Sequence, residues 1–486
     1  MTENPSWAAL AVVVTDYMIR VGFSVRVIMR RRPVGVSLAW LTIILSFPFV
    51  GSVIYLLIGE MKLGKRRAEL AARLHAPYER WLADLRARTR VDWSGSGAGG
   101  EPLARLTEAA GGIPALPGNA WQILDGADAA FGALIADVDA ARRTCHMEFY
   151  IWGVGGRADE VADALARAAA RGVTCRLLID AVGGHAFFRS DSAGRLRRAG
   201  VAVVAAMPVN LLRMLFVRFD LRLHRKIVVI DGEVAYTGSM NLVDPLFFKR
   251  GADVGAWVDA MARVQGPVVE ALAITFLEDW ELETGEGVET LDAAGDAHPR
   301  PAAGTAVIQV VPSGPVASEE SIQAVLLMAI YAARRELILT TPYFVPEESL
   351  LTALASAALR GVDVTLVVPD RVDSRLARFA SQPHKGELLE AGVRIVEFGA
   401  GLLHTKSVTV DGELSLFGSL NLDPRSLVLN FEITLSVYDR AFTAALRAVQ
   451  QSYIARSVPM DLAAWRTRPP LRRFAENAAR LLSPLL

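Results

Sequence analysis

The order of apolar and polar positions divides the chain into an apolar start and a long body in which short apolar runs alternate with amphipathic stretches. Residues 7–29 are apolar but interrupted by Asp16, Arg20 and Arg26, whereas residues 34–58 run for 25 positions without a charge. That second stretch is long enough to cross a hydrocarbon core. Pro48 lies inside it, which leaves a kinked span and a re-entrant hairpin both open. Residues 1–60 are therefore expected to hold two membrane segments. Arg30-Arg31-Arg32 lies between them, and Lys62, Lys65, Arg66, Arg67 and Arg73 follow the second. Counting these cations puts the main body on the cytoplasmic side.

Residues 61–101 read as a basic helical connector, centred on 70–91, and a flexible linker, Ser94-Gly-Ser-Gly-Ala-Gly-Gly-Glu-Pro. From about Pro102 the pattern repeats itself. Ala141-Arg-Arg before the strand-like run 146–152 returns as Ala333-Arg-Arg before 337–345. Arg171-Gly-Val returns as Arg360-Gly-Val, and Ala199-Gly-Val as Ala391-Gly-Val, at offsets of 189 to 192 residues. Alternating apolar strands and Ala-rich helices predict an α/β fold in two halves, 102–282 and 307–486, each a sheet covered by helices. Residues 283–306, rich in Gly, Pro, Ala and Asp, form the expected linker between them.

Within this duplication lies a sharper one. His224-x-Lys226-x4-Asp231-x6-Gly238-Ser239-x-Asn241 is matched 180 residues later by His404-x-Lys406-x4-Asp411-x6-Gly418-Ser419-x-Asn421. In an extended strand, residues i and i+2 share a face, so each histidine points with its lysine while Arg225 or Thr405 points away. Apolar positions then lead to Asp231-Gly232 and Asp411-Gly412, both strong two-residue hairpin signals. An aspartate before glycine is also a turn former, so a structural role for Asp231 and Asp411 stands beside direct chemistry.

Composition narrows the field. Hydrophobic residues make up 52% of the chain, with the excess near its start, and 52 basic residues balance 52 acidic ones. No global field attracts nucleic acid. Cys145 and Cys175 are too few for a disulfide scaffold, and no Cys/His spacing calls for a metal.

The double signature resembles that of the phospholipase D superfamily, whose two histidines, one per half, meet at a single phosphodiester-binding site. The likeness extends to Thr237-Gly-Ser-Met-Asn-Leu-Val-Asp-Pro, Asp279-Trp-Glu-Leu-Glu-Thr-Gly, Thr340-Thr-Pro-Tyr-Phe-Val-Pro and Gly401-Leu-Leu-His-Thr-Lys-Ser. With the paired apolar segments, these look like bacterial cardiolipin synthases. The resemblance implies two phospholipase D-like halves packed with pseudo-twofold symmetry. It also implies a phosphatidyltransferase of the bacterial inner membrane, working on phosphatidylglycerol among anionic lipids without cofactor or metal. Two phosphatidylglycerol molecules would give cardiolipin and glycerol.

A phosphodiester repels nucleophiles by its charge, and its leaving group needs a proton. Two imidazoles and two ammoniums answer both needs. The resemblance assigns attack to His224 and acid/base duty to His404, with Lys226, Lys406, Ser239, Asn241, Ser419 and Asn421 stabilising the phosphoryl oxygens. It also points to a carboxylate that orients each imidazole, for which Glu432 and Asp253 lie 28 and 29 residues beyond His404 and His224. Residues 211–222 mix cations with large apolar groups and suit either the headgroup layer or a core strand or helix, while Tyr343 and Phe344 suit the acyl-chain approach by resemblance and the core by their place beside a strand end. A phospholipase D-type hydrolase, a nuclease and a non-catalytic membrane scaffold are the alternatives.

Overall fold

The computed structural model of the chain describes residues 7–30, 34–60, 65–94, 99–209, 218, 220–248, 254–287, 295–315 and 321–481. Both Asp-Gly turns take the conformation their sequence predicts. Asp231 and Gly232 have φ of 53° and 62°, and Asp411 and Gly412 have 54° and 71°. Two successive left-handed residues match the twist of the strands they join. Ile227–Ile230 therefore folds back on Val234–Gly238, and Ser407–Val410 on Leu414–Gly418.

These hairpins sit at the centre of two sheets with the same order. From the outside inward the first half runs Ala202–Ala206, Thr174–Asp180, Thr144–Phe149, Ile227–Ile230, Val234–Gly238, Ala260–Gln265, Leu116–Asp125. The second runs Arg394–Phe398, Asp363–Pro369, Glu336–Thr340, Ser407–Val410, Leu414–Gly418, Asn430–Val437, Ala306–Ser313, with Ser457–Pro459 added at its edge. Leu116–Asp125 and Ala306–Ser313 pair antiparallel, Leu116 opposite Ile308, and fuse the halves into one sheet, 16-stranded among the described residues once the short side strand Arg222–Leu223 is included. The result is a pseudo-twofold array of two α/β halves.

Helix Val268–Thr284 is apolar over most of its circumference and is buried accordingly, from Val268 to Trp280. Helix Gly100–Gly111 opens the first half in sequence, yet Leu103 and Ala104 pack into the second half's core with Ile322 and Val325. The stretch expected as a connector is helix Lys65–Arg88, and it is docked rather than free. Leu82 and Leu85 are buried in the first core, Trp81 Nε1 donates to Glu270 at 2.8 Å, and Arg67 pairs with Glu283 at 2.5 Å.

Residues 34–58 do not form one helix. Val34–Ser46 ends at Phe47, and Pro48–Ile58 begins with the proline, whose missing N–H costs nothing at a helix start. Trp40 and Tyr55 would lie roughly 22 Å apart along a continuous helix at 1.5 Å per residue. Their rings are 5.2 Å apart, so the two helices fold back on each other against Val27 of helix Trp7–Met29. Among the described residues no helix is long and apolar enough to cross a membrane. The continuous span gives way to a folded-back pair. The charges that interrupt the first segment are paired: Arg20 with Asp16 at 2.8 Å, and Arg26 with both oxygens of Glu60 at 2.6 and 2.8 Å.

Candidate active site

Each signature histidine is stitched to the opposite half. The short strand Arg222–Leu223 runs parallel to the start of Asn430–Val437, with Leu223 opposite Phe431, and the His224 N–H donates to the Phe431 carbonyl at 2.9 Å. The mirror-related strand Leu402–Leu403 pairs with Trp257–Val258, and the His404 N–H donates to the Val258 carbonyl at 2.8 Å. The residue after each of those carbonyls is an acid.

Those acids hold the imidazoles. His224 Nδ1 lies 2.8 Å from Glu432 Oε2, and His404 Nδ1 lies 2.8 Å from Asp259 Oδ1. An ionised carboxylate only accepts hydrogen bonds, so each Nδ1 carries the proton and each Nε2 keeps its lone pair for a substrate. Behind the carboxylates stand the signature serines: Ser419 Oγ donates to Glu432 at 2.5 Å and Ser239 Oγ donates to Asp259 at 2.6 Å. The serine of one signature thus supports the histidine of the other. Two crossed chains, His224–Glu432–Ser419 and His404–Asp259–Ser239, lock both signatures onto one centre.

The lysines complete it. Lys226 Nζ donates to the His224 carbonyl and Lys406 Nζ to the His404 carbonyl, both at 2.5 Å. Tyr150 packs on His224 with ring centroids 5.0 Å apart, and Trp257 on His404 at 4.3 Å. Burial sets the charges of these groups. Desolvation, with the nearby ammoniums, pushes both imidazoles down to about 4 against the pull of their carboxylates. Burial also takes Lys226 down to about 7 and Lys406 to about 8. Burial opposes ionisation of the two acids as well, but the adjoining imidazoles and hydrogen bonds outweigh it, lowering Glu432 and taking Asp259 to about 2. These directions describe neutral imidazoles, ionised carboxylates and readily deprotonated lysines. An anionic phosphodiester placed between them would favour the charged form of the lysines and of an imidazole.

Several expectations change here. Glu432 orients an imidazole, but that of His224 across the interface rather than that of His404 in its own half. Asp253 lies outside the described residues, and Asp259 holds His404. Strand register makes the two acids equivalent: Ser239 N–H bonds the Ala260 carbonyl as Ser419 N–H bonds that of Ile433. Asp259-Ala260 and Glu432-Ile433 are thus the same place in each half, and an acid opening the strand after each signature was the available signal. Ser239 and Ser419 face carboxylates, and an oxygen donating to a carboxylate is not free to donate to phosphate. Asn241 accepts from the Ile151 N–H at 3.1 Å, and Asn421 is buried with its Oδ1 unbonded among the described residues.

Asp231 and Asp411 are held in the turns. Asp231 accepts from the N–H groups of Arg142, Arg143 and Thr144 at 2.9, 2.7 and 2.9 Å. Asp411 repeats this with Arg334, Arg335 and Glu336 at the same three distances. Both sit at the far end of their strands from the histidines and clamp the hairpin to its neighbour. Phe344 is a core residue, 2% exposed. Most of the stretch 211–222 lies outside the described residues.

Arg225 points away from its histidine as alternation requires, into a second buried network. Its Nε donates to the Glu432 carbonyl at 3.0 Å, its Nη2 to the Ser313 carbonyl at 3.3 Å, and its Nη1 to Asp279. Thr405 stands in its place in the other half, bonded to the Val258 carbonyl at 3.3 Å and to the Tyr453 hydroxyl at 3.1 Å.

The family described as cardiolipin synthase, phospholipase D-like domain, matches residues 134–280 and 326–453, and the phospholipase D-nuclease N-terminal family matches residues 21–60. The chain is 47% identical to cardiolipin synthase A of Serratia proteamaculans (strain 568) and 48% identical to that of Yersinia pseudotuberculosis serotype O:1b (strain IP 31758). Each alignment spans 470 residues and 97% of both proteins. The fold is similar to the crystal structure of phosphatidylserine synthase from Haemophilus influenzae Rd KW20, with a TM-score of 0.58 and 15% identity. That match covers 79% of this chain and 100% of that one.

Proposed function

The chain belongs to the cardiolipin synthase family of phospholipase D-like proteins, and we propose that it is a membrane-bound cardiolipin synthase working from phosphatidylglycerol alone. It is a phosphatidyltransferase. The observation that carries this reading is the crossed arrangement of the histidines, each presented by one half and oriented by a carboxylate of the other.

In the proposed cycle, Nε2 of His224 attacks the phosphorus of the first phosphatidylglycerol. Nε2 of His404, protonated in the field of the bound phosphate, gives its proton to the departing glycerol oxygen. The phosphatidyl group then rests on His224. A glycerol hydroxyl of the second lipid loses its proton to His404 and attacks phosphorus, and the P–N bond breaks to release cardiolipin. Lys226 and Lys406 hold the phosphoryl oxygens in both steps. One phosphodiester replaces another, so no nucleotide drives the reaction. The work is done at a bacterial membrane, with the body on the cytoplasmic face by the count of flanking cations.

The test is the full-length protein in vesicles of phosphatidylglycerol and phosphatidylcholine. Cardiolipin and free glycerol in equal amounts are expected. Phosphatidic acid as the sole product would make the protein a hydrolase. A requirement for CDP-diacylglycerol would remove the proposed donor.

A further inference from the structure

Two lipids must be held at the moment of transfer, and the crossed histidine chains account for one phosphate only. We propose that the headgroup of the second, accepting lipid binds in a cleft of the second half, between the loop at Tyr343 and helix Arg375–Glu390. There Arg378 takes its phosphodiester, while Gln382 and the Tyr343–Asp373 pair take its glycerol hydroxyls. This rests on the lipid-transfer reading and adds the acceptor site to it.

The cleft opens to solvent and is lined by Tyr343, Asp370, Arg378, Gln382 and Lys385 among others. Its position follows from how the loop is pinned. Thr341 Oγ1 accepts from the Leu422 N–H at 3.2 Å and donates to the Tyr343 carbonyl at 2.8 Å, and the Val345 N–H donates to the Leu422 carbonyl at 3.0 Å. Leu422 is the residue after Asn421, the last position of the second signature. One wall of the cleft is therefore fastened to the catalytic centre. The two phosphates of cardiolipin are joined by a single glycerol, so the acceptor phosphate has to bind at the border of the reacting phosphorus.

The lining has chemistry to spare. Lys385 spends its ammonium on Glu397 at 2.9 Å, and the Tyr343 hydroxyl donates to Asp373 at 2.5 Å. Gln382 is 8% exposed, and its carboxamide is not one of the buried polar groups left without a partner, so it reaches the solvent of the cleft, where a ligand can meet it. Arg378, exposed at the same cleft, has no ion pair among the described residues. A guanidinium, an amide and carboxylates suit a group that is a phosphodiester at one end and a vicinal diol at the other.

Among the described residues, the equivalent place in the first half is built differently. The bridges Trp152 to Leu242 and Phe344 to Leu422 are equivalent, so Ile151 occupies the place of Tyr343. It is buried and apolar, in a cluster with Val243 and Trp257. In place of the 16-residue helix Arg375–Glu390 stand two short ones, His185–Arg189 and Asp191–Arg198. A symmetric catalytic pair thus carries an asymmetric surround, which a reaction with a donor lipid and an acceptor lipid requires.

In the transfer step a hydroxyl of the lipid bound at Arg378 attacks the phosphatidyl group on His224. A P–O bond forms, the P–N bond breaks, and the hydroxyl proton passes to Nε2 of His404. Lacking the acceptor, the intermediate is open to water, which gives phosphatidic acid.

The experiment compares Arg378→Ala, Arg378→Lys and Gln382→Ala with the wild type, all full length, in phosphatidylglycerol and phosphatidylcholine vesicles. Glycerol, cardiolipin and phosphatidic acid are quantified together. The expected result is at least a roughly tenfold fall in cardiolipin formed per glycerol released in both alanine variants, with phosphatidic acid making up the difference and Arg378→Lys recovering part of the ratio. An unchanged ratio in the alanine variants overturns the proposal, as does a parallel fall in glycerol and cardiolipin at constant ratio. A wild type that makes no cardiolipin overturns the transferase reading itself, so the two failures are distinct. If one variant does not fold, the other still decides.

Discussion

Glu432, contributed by the second half, holds Nδ1 of His224, contributed by the first, at a distance of 2.8 Å. Asp259 and His404 repeat the bond with the halves exchanged. Neither half is then a complete active site. The interface between halves sets the tautomer, and so the reactivity, of both imidazoles.

It follows that Glu432→Gln and Asp259→Asn each lower kcat by about 10²- to 10⁴-fold, since an amide no longer fixes Nδ1 as the protonated nitrogen. Glu432→Gln acts on the His224 step and slows phosphoenzyme formation. Single-turnover kinetics on both variants separate the steps. Near-normal turnover in either one contradicts the orienting role.

Asp231 and Asp411 behave differently. Replacing Asp231 by Ala removes an acceptor for three backbone N–H groups and puts a residue that avoids φ of 53° into the turn. The expected loss is about 1–3 kcal/mol of stability by denaturant unfolding, with turnover per folded molecule retained. Loss of turnover at full stability would return Asp231 to the chemistry.

The lysines predict a pH limb. Their values are lowered to about 7 and about 8, so the ammonium form is lost as pH rises through that range. In the free enzyme kcat/KM for the anionic lipid should decline there, and bound phosphate should move the limb of kcat to higher pH. Lys226→Met and Lys406→Met suppress turnover, whereas Lys226→Arg shifts the limb upward by keeping the charge. A profile flat into the ordinary lysine range contradicts the assignment.

Arg225 is the counter-charge of buried Asp279, beside Glu148, whose carboxyl is held well above the usual range by burial and by Asp279. Removing it leaves the Asp279 carboxylate unpaired. Arg225→Met is expected to cost about 3–5 kcal/mol in denaturant unfolding. A variant as stable as the wild type would show that the carboxylate is neutral without it.

The sequence made some of this legible and concealed the rest for physical reasons. Local signals carried well: Asp-Gly at each hairpin produced the φ values it demands, and alternation placed His224 and Lys226 together and Arg225 behind them. The partner of each imidazole was harder, because counting along the chain assumes that a histidine is oriented from its own half. Pairing across the interface is a tertiary fact. Asp259 was also displaced: it lies 20 residues beyond Ser239, whereas Glu432 lies 13 beyond Ser419. The seven extra residues include Asp253, which counting therefore selected. The break at Pro48 was visible, but the contact of Trp40 with Tyr55 that decides for a folded-back pair was not.

The central claim is that one imidazole takes the phosphatidyl group while the other moves the proton. The most direct measurement is rapid quenching of the wild-type enzyme with phosphorus-labelled phosphatidylglycerol, followed by mass spectrometry of the peptides. The account predicts a phosphatidyl adduct on His224 that forms before cardiolipin and vanishes when fresh acceptor lipid is added. An adduct on His404, or cardiolipin formed at full rate with no adduct on either histidine, would contradict it.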